Sequence, residues 1–455
     1  MSASNLFRKY FSIKHLEITL DKYFDFTSAT GIDQMNFDRF YHHRVENICK
    51  IKEKVKNNTY QFTPYKEKLI VKDRYSPPRL ISIPTLRDKL VLKSLSLILS
   101  ETYHHLTQPL PQLCISQIKE SVYQYDSFIK LDVSDFYGTI KHGILFNLLE
   151  KRIKKEEILT LIKKSITTPT VKSGEKSSEL ITEGIPQGLP ISNILSHIYL
   201  EDFDNKFENQ QDYQFIRYVD DVLVLCNSKD LPRIYSKIKY ELEGLYSLRL
   251  NDSKTELGKV NEGFSFLGYQ VMSNHHGELK LTIKKANQAK FENSLVDIFT
   301  SYKYNSDNIN PKQFVFRLNN KITGSISKKV DGDKGREFNY GWLFYFSQMN
   351  DTSVLYHLDW LIQKLLVKFE FDHINKDEIK SFVKAFYEVR YNYENSTYIH
   401  RPDELNEQQK KELLIDVFNV NVKNLKSKEG INYWYQKYVY RPIKMDEKDI
   451  KSKIS

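Results

Sequence analysis

Phe215-Ile216-Arg217-Tyr218-Val219-Asp220-Asp221-Val222-Leu223-Val224-Leu225 reads as two short apolar strands around a tight acidic turn. Adjacent carboxylates at the tip of a buried hairpin repel each other and lose solvation. A turn can use one Asp for its own backbone chemistry, so an isolated pair reads first as a solvated turn. Beside apolar strands the pair has a second use. It can hold a hard divalent cation such as Mg²⁺, which takes oxygen ligands and brings the compensating charge. A second strand, Phe128-Ile129-Lys130-Leu131-Asp132-Val133, also runs apolar into an abrupt carboxylate. Between Asp132 and Asp220 there is room for helices linking neighbouring strands. Three carboxylates at neighbouring strand ends can hold two ions about 3.5–4 Å apart. One ion lowers the pKa of an attacking hydroxyl, and the other neutralises a leaving pyrophosphate.

The rest of the chain is read outward from this centre. Residues 1–70 mix basic and aromatic residues at helical spacing, and Leu90 to Ile98 is a leucine-rich helix. Ile144 to Ile166, Asn193 to Phe203 and Ile234 to Leu248 read as helices. Phe264 to Met272 and Leu279 to Ile283 read as strands about a turn at His275-His276-Gly277. Beyond Lys285 the pattern is helical, broken by a loop from Ser327 to Arg336. This order is α+β rather than doubly wound α/β.

Composition narrows the class. The 455 residues carry 68 Lys+Arg against 58 Asp+Glu, a net charge of +10, which fits a polyanionic partner. The 27 Phe and 30 Tyr read first as a source genome whose codons favour Tyr, and they also fit stacking on bases. The three cysteines are too far apart for a metal cluster or disulfide framework. Neither a membrane span nor an apolar leader is visible, so a cytoplasmic location with no membrane partner is expected.

Taken in order, four elements resemble the reverse transcriptases: Asp132 with Tyr137, Gly184-Ile185-Pro186-Gln187-Gly188-Leu189-Pro190-Ile191-Ser192-Asn193, the Tyr218-Val219-Asp220-Asp221 box, and Phe266-Leu267-Gly268-Tyr269. The resemblance covers roughly residues 65–285. It implies a right-hand polymerase whose fingers and palm are a ferredoxin-like antiparallel sheet with helices, followed by a helical thumb. The expected divisions are 1–125 (N-terminal region and fingers), 126–285 (palm, with inserted fingers helices at about 143–180), 286–370 (thumb) and 371–455 (helical extension).

By the same resemblance, Asp132, Asp220 and Asp221 are the catalytic, metal-binding triad, and Val133 adds a backbone carbonyl. Two Mg²⁺ ions are implied, with Mn²⁺ as a substitute. Asp135 is not a triad match and reads as a capping or surface carboxylate. Tyr137 matches the steric gate that excludes a 2′-hydroxyl, and so selects dNTPs. Gln187 and Gly188 lie in the loop that lines the nascent base pair, Gly188 allowing close approach to a ligand. Arg79 and Arg87 are candidates for the triphosphate, with Lys72 and Arg74 behind them. Lys254 is a candidate to protonate pyrophosphate or stabilise its charge. Phe266, Leu267, Gly268 and Tyr269 match the primer grip. Arg317 to Gly324, Tyr340 to Ser347 and Leu358 to Ile362 resemble a thumb, and their aromatic residues read as packed core.

No RNase H, integrase or protease segment is recognisable, and no Cys/His nuclease cluster. The remaining pattern resembles the bacterial defence-associated (anti-phage) enzymes related to group II intron and retron reverse transcriptases. That resemblance implies an RNA template of the dedicated non-coding kind, a DNA product, and a homo- or hetero-oligomer. Template-independent or protein-primed synthesis, an RNA-dependent RNA polymerase, and an inactive nucleic-acid-binding scaffold are the alternatives. The residues after Glu370 are expected to serve RNA binding or oligomer contacts and to be dispensable for phosphoryl transfer.

Overall fold

A computed structural model of the chain describes residues 1–455 except 25–27, 72–77, 107, 176–178, 274–277, 306–308, 332–333 and 447–455. The chain forms two compact units, Met1–Pro109 with Ser121–Lys259, and Leu110–Glu120 with Val260–Ser455. This division is coarser than the four segments expected from the sequence. No helix among the described residues is long and apolar enough to cross a membrane.

The first unit contains two sheets. Strands β1 (Tyr65–Ile70), β2 (Arg79–Ile83) and β4 (Thr170–Val171) form a small sheet in the order β2-β1-β4. It escapes a reading of apolar alternation because β1 carries three charged residues in six. The larger sheet has the order β5-β6-β3-β7 and is antiparallel throughout. Its strands are β3 (Ser127–Asp132), β5 (Tyr213–Tyr218), β6 (Asp221–Cys226) and β7 (Glu256–Lys259). Helices flank it, as an α+β fold requires. The stretch read as one helix over Ile144 to Ile166 is two, His142–Arg152 and Glu156–Thr167. Ile129, Leu131, Val222 and Val224 are buried in one core with Leu195, Ile198 and Phe203 of the two helices Ser192–Tyr199 and Glu201–Phe207.

The second unit holds β8 (Phe264–Phe266), β9 (Tyr269–Ser273) and β10 (Leu279–Ile283) as an antiparallel meander. What reads as one strand over Phe264 to Met272 therefore turns back at Leu267-Gly268. Both residues have positive φ, 46° and 80°, the requirement of a tight two-residue hairpin. The expected turn at His275-His276-Gly277 falls outside the described residues.

The expected loop from Ser327 to Arg336 is instead part of a hairpin, β11 (Ser325–Asp331) paired with β12 (Lys334–Tyr340). Its sequence is rich in Lys, Asp and Gly, which are depleted in strands, so propensity hides it. Trp342 stacks on Phe291 at 4.3 Å, so the aromatic run there is core, as its spacing indicates.

The chain after Glu370 is helical, with helices Phe382–Tyr391, Glu407–Asp416 and Lys428–Tyr435, but it is not a separately packed appendage. Phe371 sits among Phe299, Tyr302 and Phe314. Asp359 accepts from the Phe382 backbone N–H at 2.6 Å and from the Ser381 hydroxyl at 2.6 Å, capping the next helix. Leu414, Ile431 and Tyr435 share a core with Phe316 and Tyr340.

Candidate active site

The antiparallel register sets the carboxylates side by side. Asp132, the last residue of β3, stands opposite Asp221, the first residue of β6. Tyr218 stands opposite Asp221 across the β5–β6 hairpin, so Val219 and Asp220 are its two turn residues. Burial pushes the Asp221 carboxyl up to about 7, and the neighbouring Asp220 and Asp132 carboxylates add to this. The site thus concentrates negative charge that its own cations offset only in part. Among the described residues, no three His, Cys, Asp or Glu side chains form a group that could hold a metal ion.

Asp132 is itself engaged within the chain. The Lys254 ammonium reaches both its oxygens, at 3.0 and 3.2 Å, and the Asn251 amide donates to one at 3.3 Å. The Asn251 backbone N–H also donates to the Asp132 carbonyl at 2.8 Å. Val133 is buried and bridges to Leu250. A lysine therefore holds one of the three carboxylates that a cation would use. Oxygen donors, proximity and surplus negative charge still fit a hard divalent cation, which would displace or share that lysine.

Val219 has φ of 59°. A β-branched residue there is an outlier, since the first position of such a turn ordinarily takes Gly. The strain is held by Arg217, whose side chain is only 5% exposed. Its Nε donates to Asp204 at 2.6 Å, a second nitrogen pairs with the same carboxylate, and Nη1 donates to the Val219 carbonyl at 2.7 Å. His197 lies against the same guanidinium, and burial lowers its pKa to about 4, keeping it neutral. Sequence reading passed over Arg217 as one member of an apolar strand. The signal was an arginine at a position that should be buried, which requires a partner.

A second group forms beside the carboxylates. Tyr137 is half-buried and hydrogen-bonded with Ser196, and burial raises its phenol, with Asp220 and Arg79 within electrostatic reach. The loop from Gly184 is stitched to both sides of this group. The Ile185 N–H donates to the Tyr137 carbonyl at 2.7 Å, and the Ser82 N–H of β2 donates to the Gln187 carbonyl at 2.7 Å. Arg79 begins β2. The structure therefore brings Arg79, Tyr137, Gln187 and Asp220 into one neighbourhood.

Gly188 has φ of 98°, and a Cβ there would meet Ile81 Cγ2 at 2.8 Å and the Ser82 carbonyl at 3.1 Å. Gly188 therefore permits the close approach of β2. Arg87 is tied up in the fold. It donates to Thr63 at 2.9 Å and lies 3.6 Å from Asp88, which is fully buried and accepts from Tyr60, Thr63 and Thr85. Thr85-Leu86-Arg87-Asp88 is a helix cap, a local reason for that spacing. Lys72 and Arg74 lie outside the described residues. Asp135 is exposed, with φ of 43°, and its side chain makes no cap hydrogen bond.

The Phe266 to Tyr269 hairpin belongs to the second unit. Phe266 and Tyr269 are buried, the Tyr269 hydroxyl donates to the Tyr345 carbonyl at 2.6 Å, and the Tyr345 hydroxyl donates to the Leu267 carbonyl at 3.1 Å. Gly268 is required by its φ, and its carbonyl accepts from Lys284 N–H at 3.0 Å.

Residues 70–271 match the family model described as reverse transcriptase (RNA-dependent DNA polymerase). Protein YkfC of Escherichia coli (strain K12) is 24% identical over 318 residues, spanning 58% of this chain and 82% of that protein. The putative COX1/OXI3 intron 2 protein of Saccharomyces cerevisiae is 26% identical over 290 residues, 49% of this chain and 34% of that protein. The chain thus covers about a third of the yeast protein's length. Among solved structures, telomerase from Candida albicans in complex with a fragment of telomeric RNA is 14% identical with a TM-score of 0.42. The match covers 92% of this chain and 68% of that one.

Proposed function

We propose that this chain, which carries a reverse-transcriptase domain over residues 70–271, copies an RNA template into DNA from dNTPs. The observation that carries the reading is the register that sets Asp132 against Asp221 with Asp220 in the adjoining turn, inside the matched segment. Asp132, Asp220, Asp221 and the Val133 carbonyl would hold two Mg²⁺ ions. Those ions would supply an activated primer hydroxyl and neutralise the charge of the leaving pyrophosphate.

The chain's own residues do the rest. Arg217 fixes the acidic turn through the Val219 carbonyl. Tyr137, braced by Ser196 and the Ile185 N–H, would exclude a 2′-hydroxyl by the bulk of its ring. Arg79, within electrostatic reach of Tyr137, would grip the triphosphate, and Arg87, which also meets Thr63 and Asp88, is the second candidate. Lys254 holds the Asp132 carboxylate and would pass a proton to pyrophosphate or stabilise its charge.

By its resemblance to the defence-associated enzymes, we extend this reading to anti-phage defence in the cytoplasm with a dedicated non-coding RNA. The fingers, palm and thumb divisions belong to the same proposal.

Primer extension on matched RNA and DNA templates, with dNTPs or rNTPs, tests the polymerase reading. Mg²⁺-dependent dNTP addition on RNA is expected, abolished by EDTA and restored by Mg²⁺. Tyr137→Ala should raise rNTP relative to dNTP incorporation by about tenfold or more, since it removes a clash rather than a contact. Preferential rNTP addition by the unaltered protein would identify an RNA polymerase instead. Absence of any extension on either template, with Asp220→Asn leaving RNA binding intact, would identify a scaffold.

A further inference from the structure

We propose that the second unit contains a binding site for a nucleoside phosphate, built without any of the polymerase carboxylates. The site is a cavity of about 580 Å³ between the helix Pro311–Thr323, the start of the β11–β12 hairpin and the segment from Tyr438 to Asp446. That volume lies in the range of about 300–1,000 Å³ that encloses small ligands.

Charge comes first. Arg317 and Arg441 both line the cavity. Neither guanidinium has a hydrogen bond or ion pair among the described residues. Lys321 shows the contrast, for it is 7% exposed and its ammonium is matched by Asp446 at 2.7 Å. With that pair cancelled, two arginines face one exposed carboxylate, Asp297. Two guanidinium forks at one concavity match the oxygens of a phosphate.

A second observation is independent of charge. Ser325, on the wall of the same cavity, is fully buried, and its hydroxyl has no partner among the described residues. A buried hydroxyl left unmet costs free energy that a polar atom of a bound ligand would offset.

The third is the apolar wall. Phe418 and Tyr438 line the cavity as a stacked pair, centroids 5.0 Å apart and planes within 17°, with Phe316 edge-on to Phe418 at 5.3 Å. Tyr438 stacks on Trp434 as well, at 5.6 Å, so a base would meet this wall at the ring edges. Asp297 and the Asn320 amide suit sugar hydroxyls or a base edge. Inorganic phosphate would leave the aromatic wall unused, and a nucleoside would leave the arginines unused. A nucleoside phosphate uses both, whether it comes as a free nucleotide or as one residue turned out of a strand.

The test is equilibrium binding to the full-length protein, so it needs no polymerase activity and its result is separate from that of the polymerase reading. A fluorescent 5′-AMP derivative is the probe, with unlabelled 5′-AMP, adenosine and a short single-stranded RNA as competitors. Saturable binding is expected, with adenosine competing about tenfold or more less well than 5′-AMP. Joint Arg317→Glu and Arg441→Glu substitution should weaken binding by about tenfold or more at an unchanged melting midpoint, because both side chains are exposed. Ser325→Ala supplies a conservative second variant and should weaken binding severalfold. Competition by RNA assigns the ligand to a strand, and its absence assigns it to a free nucleotide. Equal competition by adenosine and 5′-AMP, or an affinity for both 5′-AMP and RNA that is indifferent to the arginine substitutions, overturns the proposal.

Discussion

Arg217 illustrates how much of this site rests on a residue that holds a turn by its backbone carbonyl. Its fork spans Asp204 and the Val219 carbonyl, and so fixes a turn that Val219 would not adopt by preference. Lysine keeps the charge but has no planar fork with which to hold both partners. Arg217→Lys should therefore lower kcat by about tenfold or more while leaving the KM for dNTP within about twofold. Steady-state primer extension measures both. An unchanged kcat beside a lowered melting midpoint would mean that Arg217 serves the fold alone. Lys254 is the complementary case. It was legible through the resemblance alone, and its hold on the Asp132 carboxylate sits beside Asn251 and the Val133–Leu250 bridge, which only the folded chain brings together.

At the scale of elements, the loop from Gly184 to Asn193 shows what glycine contributes. Gly188 combines a φ of 98° with a Cβ position 2.8 Å from Ile81. Gly188→Ala should destabilise the first unit by about 1–3 kcal/mol, through backbone strain and displacement of β2. Chemical denaturation reads this directly, and a change within about 0.5 kcal/mol would place the substitution among ordinary surface changes.

Strands whose apolar residues alternate or run together were legible, which is why β3, β5 and β6 and their acidic ends stand out in the sequence. Strands held mainly by a neighbour's backbone were not. β1 is charged, β11 and β12 carry Lys, Asp and Gly, and each is specified by its partner more than by its own propensity. The helix-capping use of Thr85 and Asp88 was likewise hidden, because the same Arg87 fits a phosphate-binding motif equally well. Gly268 reads as part of a primer grip, and the two-residue turn by itself already requires a glycine there.

Across the whole molecule, the tail after Glu370 tests the expectation of a dispensable appendage. Phe371 packs against Phe299 with ring planes within 5°, and Leu414, Ile431 and Tyr435 close a core on Phe316 and Tyr340. Truncation after Glu370 exposes those faces. The shortened chain should lose the cooperative melting of the second unit and aggregate, because several large side chains lose their burial at about 1.5–3 kcal/mol each. Differential scanning calorimetry with light scattering distinguishes the outcomes. A soluble truncated chain that melts cooperatively and extends an annealed primer at nearly the full rate would restore the appendage reading.

The central claim is that Asp132, Asp220 and Asp221 form a site destabilised by its own charge and completed by divalent cations. Asp221 gives the sharpest test because its folded carboxyl is raised from 3.8 to about 7. Between those values the folded state binds more protons than the unfolded state, so this group's contribution to stability falls as pH rises through that window. Asp221→Asn removes the charge while keeping the shape. The deciding measurement pairs the melting midpoint in EDTA at pH 8 with primer extension in Mg²⁺. The account predicts a midpoint in the variant at or above that of the unaltered protein, with extension reduced more than about a hundredfold. Extension within about tenfold of the unaltered protein, or a variant that is less stable without metal, would contradict it.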